Sequence, residues 1–180
     1  MINKLIQSHN NFKENNIKKQ YYKNQDKKTF KDWFYKKQNL HFQFEDKNYK
    51  PPFFKEGEVW DCYFGENIGF ETCGKNDMGQ GFTRAVLIIK KSTQWEKSED
   101  KLEDKYVDTG IGGFLAVPLT SPHKSNYNLN FYHQLKGDPK SGYVILQQIR
   151  YIDTRRLINK KFEIHSEELK TVKEKIKNSL

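Results

Sequence analysis

The chain changes its hydrophobic period near residue 50. Before that point it is polar, and its apolar residues recur at helical intervals. Phe30, Trp33, Phe34, Lys37 and Leu40 share one face of a helix predicted over Thr29–Leu40. Two readings of that face stand side by side. The aromatics dock the helix on the rest of the chain, or, set among lysines, they contact bases and phosphates. Pro51-Pro52 then breaks the helical pattern. Beyond it come short runs rich in aromatic and β-branched residues: Glu58–Phe64, Arg84–Lys90, Phe114–Thr120, Asn128–Leu135 and Tyr143–Gln148. Pro118 inside the third run suggests an edge or bulge position. KGDPKSG marks a turn before the fifth.

The connections carry their own signals. Residues 66–83 form a long link with Gly69, Gly74, Gly79 and Gly81, of a length usually reserved for functional loops. Residues 91–113 are acidic and polar and read as a surface insertion. The last segment is an amphipathic helix. Ser166 is suited to cap it, and Glu167 and Glu168 favour its positive end. Leu169, Val172, Ile176 and Leu180 form one apolar stripe for packing on the strands or on a second subunit. The expected fold is mainly β with flanking helices: a small β-barrel over 51–180 with a C-terminal helix, and a helical N-terminal extension over 1–50.

Charge sharpens this picture. The 180 residues carry a net charge of +9, unevenly placed. Residues 1–50 hold 12 lysines against 5 acids, residues 51–135 hold 9 basic against 12 acidic, and residues 136–180 hold 11 against 6. Two basic ends flank an acidic middle, which favours a polyanionic partner such as nucleic acid or, less often, an anionic membrane surface. A Lys- and Asn-biased genome would give the same excess. The chain opens without the apolar run of a signal peptide, and no stretch reaches the roughly 20 apolar residues of a membrane span. A soluble, cytoplasmic protein is expected. Cys62 and Cys73 lack metal-binding spacing and are expected to be reduced. Neither paired carboxylates nor His–Glu spacing suggests a metal site.

Four pieces then fall in a telling order. Gly57-Glu58-Val59-Trp60 opens a strand. The loop GENIGFETCGKNDMGQGFTRA leads into VLIIKK. FLAVPLTS follows, and YVILQQIRYIDTRRL precedes the last helix. This set resembles the MazF/PemK toxins of bacterial toxin–antitoxin systems over about residues 55–180. The resemblance implies an SH3-like barrel, a homodimer with single-stranded RNA along its groove, and a cognate antitoxin covering that groove. It implies a metal-independent endoribonuclease without a cofactor, and puts the two functional positions on Arg84 and Thr120. The sequence departs from the family where Arg84-Ala85 replaces Arg-Pro, where the glycine loop is longer, and in the N-terminal extension.

The residue chemistry is compatible with that activity. Arg84 offers two parallel donors to a phosphate and stays charged at every working pH. The Thr120 hydroxyl can hold a phosphate or relay a proton. Neither is a strong base, so the base is open, with Glu71 a candidate. Ser121 and Arg150 are further candidates for catalysis or RNA binding. Asp153 and Arg156 read as a turn tied down by ion pairs. His123 and His133 suit acid–base work by pKa, and also suit plain surface positions. Taken singly, Arg84 could be a surface ion-pair residue and Thr120 a strand-end cap. Two other functions remain open: a gyrase inhibitor of the CcdB type on the same barrel, and a non-catalytic RNA-binding module.

Overall fold

The computed structural model describes residues 30–46, 48–65, 82–97, 106–121, 130–136 and 142–179. The chain divides into two units, residues 1–39 and 40–180. A helix, α1, covers residues 30–41. Of the three aromatics on its predicted face, Trp33 is buried while Phe30 and Phe34 are exposed.

Among the described residues the second unit has seven strands, two more than the sequence pattern suggested. They are β1 (Glu58–Tyr63), β2 (Thr83–Lys97), β3 (Tyr106–Thr120), β4 (Tyr132–Gln134), β5 (Tyr143–Ile145), β6 (Arg150–Asp153) and β7 (Leu157–Glu163). All described pairings are antiparallel, in the order β4-β5-β3-β2-β1-β7, with β6 also on β3. The expected surface insertion at 91–113 is corrected. Residues 91–97 and 106–113 continue β2 and β3 and pair with each other out to Lys97 and Tyr106. Their polar composition misled because a backbone ladder leaves no mark on composition.

β5 and β6 are one course along β3, interrupted by the 3-10 turn Leu146–Gln148. The turn shifts the register against β3 by its own 3 residues. Pro118 lies in the gap between the two paired stretches, where a residue without an amide proton costs the sheet least. Pro118 is therefore on an interior strand, and the irregularity it signals sits in the neighbouring course.

The sheet is strongly curled. β6 and β7 lie at opposite ends of the run β6-β3-β2-β1-β7, yet only the 3-10 turn Thr154–Arg156 separates them in sequence. Five flat strands would hold these edges about 19 Å apart, whereas a 3-10 turn of that length advances about 6 Å. The edges must bend towards each other, giving a barrel-like form that no described ladder closes. Inside the curl pack Phe54, Trp60, Cys62, Val86, Ile88, Phe114, Ala116, Ile152 and Leu157. Val59, Leu87, Ile89, Val117, Leu119 and Val144 point the other way. The uninterrupted apolar run of β2 follows from burial on both faces.

The final helix, α2 (Ser166–Ser179), covers that second face through Val172 and Ile176, with Leu169 packed alongside. Its cap differs by one residue from expectation. The Leu169 amide donates to the His165 carbonyl, so His165 occupies the cap and Ser166 enters the first turn.

Candidate functional site

Arg84 enters β2 directly opposite Cys62 of β1. The β2–β3 ladder is paired as far as Val86 and Pro118; two residues further along each strand come Arg84 and Thr120, the last residue of β3. A side-chain bond supports that placement: Arg84 Nε donates to the Leu119 carbonyl at 2.9 Å. This bond fixes the plane of the guanidinium and thereby aims its fork. Thr120 in turn pairs with Tyr143, and Tyr143 with Gln134. Strand alternation puts Arg84, Thr120 and Tyr143 on the inner face of the curl, at its rim. Both Arg84 and Thr120 are half-buried, and Ser121 just beyond is exposed.

Two more arginines reach the same end of β1. The Arg150 guanidinium lies 4.4 Å from the centroid of the Phe64 ring, a cation–π contact spanning from β6 to the residue after β1. Arg156 donates to the Tyr63 carbonyl at 3.3 Å. Residues 62–64 thus carry a collar of three arginines drawn from β2, β6 and the turn after β6. Asp153 does not join it. Its carboxylate accepts from Arg155 Nε at 2.8 Å, from Arg155 Nη2 at 2.6 Å and from the Arg155 amide at 2.9 Å. Burial raises the Asp153 pKa, but these bonds outweigh it and hold the carboxyl below its usual range. Arg155 also donates to the His41 carbonyl at 2.7 Å, so the expected tied-down turn is realised through Arg155.

The backbone around the rim is tightly specified. Phe82 has φ 89°, a conformation a bulky side chain adopts at some cost, and its carbonyl accepts from the Phe64 and Gly65 amides. Gly142 has φ 71°, and a Cβ there would run into the Thr120 carbonyl. Only glycine therefore allows the β5 entry to approach Thr120 this closely. Phe82 and Gly142 gave no signal in the hydrophobic pattern, since their roles depend on backbone angle and on approach between distant segments.

The remaining candidates divide. Glu71, His123 and Cys73 lie outside the described residues. His133 is buried beneath α2, with Nε2 3.5 Å from Glu168 Oε1, and is remote in sequence pairing from Arg84. The Cys62 thiol is free, and burial pushes its pKa up to about 12, so it stays protonated near neutrality and is no nucleophile. Among the described residues, no group of three His, Cys, Asp or Glu side chains is placed to hold a metal ion. Among them, too, no helix is long and apolar enough to cross a membrane. Chemically, the rim combines fixed cationic donors with hydroxyls, an arrangement that suits the oxygens of a phosphodiester.

Comparison with known proteins follows the same direction. Residues 102–180 match the model of the PemK-like, MazF-like toxins of type II toxin–antitoxin systems. That stretch holds Thr120, Ser121, Arg150 and Arg156, while Arg84 precedes it. No curated protein matches the sequence significantly. Similar solved structures include a mycobacterial endoribonuclease in complex with its cognate antitoxin, at 15% identity and TM-score 0.41, covering 69% of this chain and 91% of that one. Another is a mycobacterial endoribonuclease at 13% identity and TM-score 0.42, covering 74% and 94%.

Proposed function

We propose that the chain is a toxin-type endoribonuclease that cleaves single-stranded RNA through the substrate's own 2′-hydroxyl. The observation that carries this reading is the Arg84 Nε bond to the Leu119 carbonyl, which ties Arg84 to the residue before Thr120, within a collar of arginines. The toxin-family match over residues 102–180 supports it. In the reaction the 2′-oxygen bonds to phosphorus as the bond to the 5′-oxygen breaks. A base takes the 2′-proton, and the departing 5′-oxygen is protonated. The products are a 2′,3′-cyclic phosphate and a 5′-OH end. DNA, lacking the 2′-OH, is not a substrate.

Arg84 stabilises the charge that accumulates on the phosphorane oxygens. One well-placed donor of this kind is commonly worth about 3–4 kcal/mol. Its Nε bond to Leu119 preorganises the fork, so little reorientation is needed at the moment of reaction. Thr120 holds the scissile phosphate or relays a proton, and Ser121 adds a second hydroxyl at the strand end. Arg150 and Arg156 supply positive potential along the RNA path. Glu71 is the proposed base. No metal is required, because RNA brings its own nucleophile and the arginines meet the developing charge. In this reading residues 51–180 are the catalytic domain and residues 1–50 a basic extension. The protein acts in the cytoplasm as a homodimer held in check by a cognate antitoxin.

The test is incubation of the full chain with a long single-stranded RNA in EDTA, beside Arg84→Ala and Thr120→Ala. Discrete cuts ending in cyclic phosphate, lost in both folded variants, are expected. Cleavage that disappears on chelation removes the metal-free mechanism. Full activity in Arg84→Ala removes the central assignment. Retarded but intact RNA favours the binding-module reading instead.

A further inference from the structure

A second cationic feature lies midway along β2, at Lys90 and Lys91, about 20 Å along the strand from Arg84. It is a hollow of about 540 Å³ whose walls include Phe53, Lys55, Glu56, Lys90 and Lys91. Phe54 is fully buried and packs edge-on against Phe114 with ring centroids 5.3 Å apart. With Phe54 anchored and Pro51-Pro52 stiffening the approach, Phe53 is turned outward and is 70% exposed. An aromatic ring held this far into solvent by a rigid segment adds little to the core.

Cations surround that ring. Lys91 Nζ lies 4.8 Å from its centroid and donates to the Phe54 carbonyl at 3.3 Å. Lys55 Nζ lies 5.9 Å from the same ring. Lys90 reaches Glu56 at 3.1 Å, and Lys173 of α2 reaches it at 2.7 Å. Two lysines thus bond the Glu56 carboxylate, and the hollow's own lining, with Lys55, Lys90 and Lys91 against Glu56, is net positive. A flat exposed ring beside ammonium groups matches the chemistry of unpaired nucleic acid, in which a planar base alternates with phosphate.

We propose that this hollow is a second binding site for single-stranded RNA, with a base stacked on Phe53 and neighbouring phosphates on Lys55, Lys90 and Lys91. The choice of RNA rests on the ribonuclease reading above. The site would hold substrate on the far side of the cleavage rim, so that affinity for long RNA exceeds what the rim alone provides.

The experiment measures binding of a fluorescein-labelled 12-nucleotide 2′-O-methyl RNA to the full chain by anisotropy over a range of salt. This probe keeps bases and phosphates but has no free 2′-OH, so binding is read independently of cleavage. Phe53→Ala is expected to weaken binding about tenfold, as for loss of one base–aromatic stack. Lys90→Gln is expected to reduce the salt slope by about 0.7. Phe53 and Lys90 are both exposed, and unchanged melting confirms that each variant folds. Weaker binding by Phe53→Ala supports the site even if the wild-type chain cuts no RNA, a result that would sink only the nuclease reading. The proposal is overturned if the wild-type chain fails to bind the probe or if both variants bind it unchanged. It is also overturned if an acidic peptide occupies the hollow while Phe53→Ala leaves RNA affinity intact.

Discussion

Replacing Glu58 by alanine should be among the most damaging polar substitutions in this protein. Glu58 opens β1 and is buried, 5% exposed. Its carboxylate accepts from the Trp60 indole at 2.9 Å, from the Lys55 amide at 2.9 Å and from Lys160 Nζ at 2.6 Å. Alanine strands these donors unequally. Lys160 is substantially exposed and also reaches Glu163, so it rehydrates with little loss. The Lys55 amide is partly buried and loses about 1 kcal/mol. The Trp60 indole, 7% exposed, has no water to turn to, and leaving it unsatisfied beside a small cavity costs about 2–3 kcal/mol. The total, about 3–4 kcal/mol, corresponds to a fall in Tm of about 10 °C for a chain of this size. Glu58→Gln keeps an acceptor for the indole and should lose less than half as much. The assay is urea unfolding followed by Trp fluorescence, with Lys160→Ala as the control that removes only the exposed donor. An alanine variant within 1 kcal/mol of wild type, or a Lys160→Ala variant as unstable as Glu58→Ala, would refute the reasoning. Acid should reproduce part of the effect. Burial raises the Glu58 pKa, but Lys160, Trp60 and the Lys55 amide together hold it below the ordinary value of 4.5. Its contribution is thus complete above about pH 4.5 and is lost as pH falls through the lowered folded value.

Two further outcomes are expected. Burial lowers the His133 pKa, reinforced by Lys175 and Lys136 and opposed by Glu168, so folding favours the neutral ring. Its contribution is complete above about pH 6.5 and is lost as pH falls through the lowered folded value; His133→Gln should flatten the urea midpoint between pH 7.5 and 5.5, a window above the carboxylate range. Gly142→Ala forces a side chain into the left-handed region and against the Thr120 carbonyl, so it should cost about 2 kcal/mol and reduce RNA cleavage in protein that remains folded; unchanged cleavage would show that the exact placement of Thr120 is unimportant.

How much of this was legible in the sequence follows from which forces act locally. The cores of β1, β2 and β3 announce themselves because their side chains are buried, and burial selects aromatic and β-branched residues. α2 was readable for the same reason, through Val172 and Ile176, although a one-residue difference at its cap reflects backbone hydrogen bonding that Ser166 does not reveal. β7 was missed because most of its residues face water, leaving mainly Leu157 and Phe162 as apolar contacts. Its lysines suit a sheet edge, and its strand identity comes from its ladder with β1. The outer parts of β2 and β3 were hidden because a backbone ladder leaves no composition signal.

The sequence by itself determined the residue types a phosphate site requires and, through the order of its motifs, the toxin family they resemble. It also established the apolar stripe of α2 and the strand-forming centre of the chain. Tertiary structure decided the rest. Arg84 and Thr120 are separated by 36 positions in the chain, and only the antiparallel pairing of β2 with β3, with the Arg84 bond to the Leu119 carbonyl, brings these strand ends together. Arg150 and Arg156 join them because the sheet curls, bringing β6 and its following turn to the end of β1. Register and curvature are properties of paired backbones and of the core they enclose. They arise from the sum of many contacts, so no single stretch of residues spells them out.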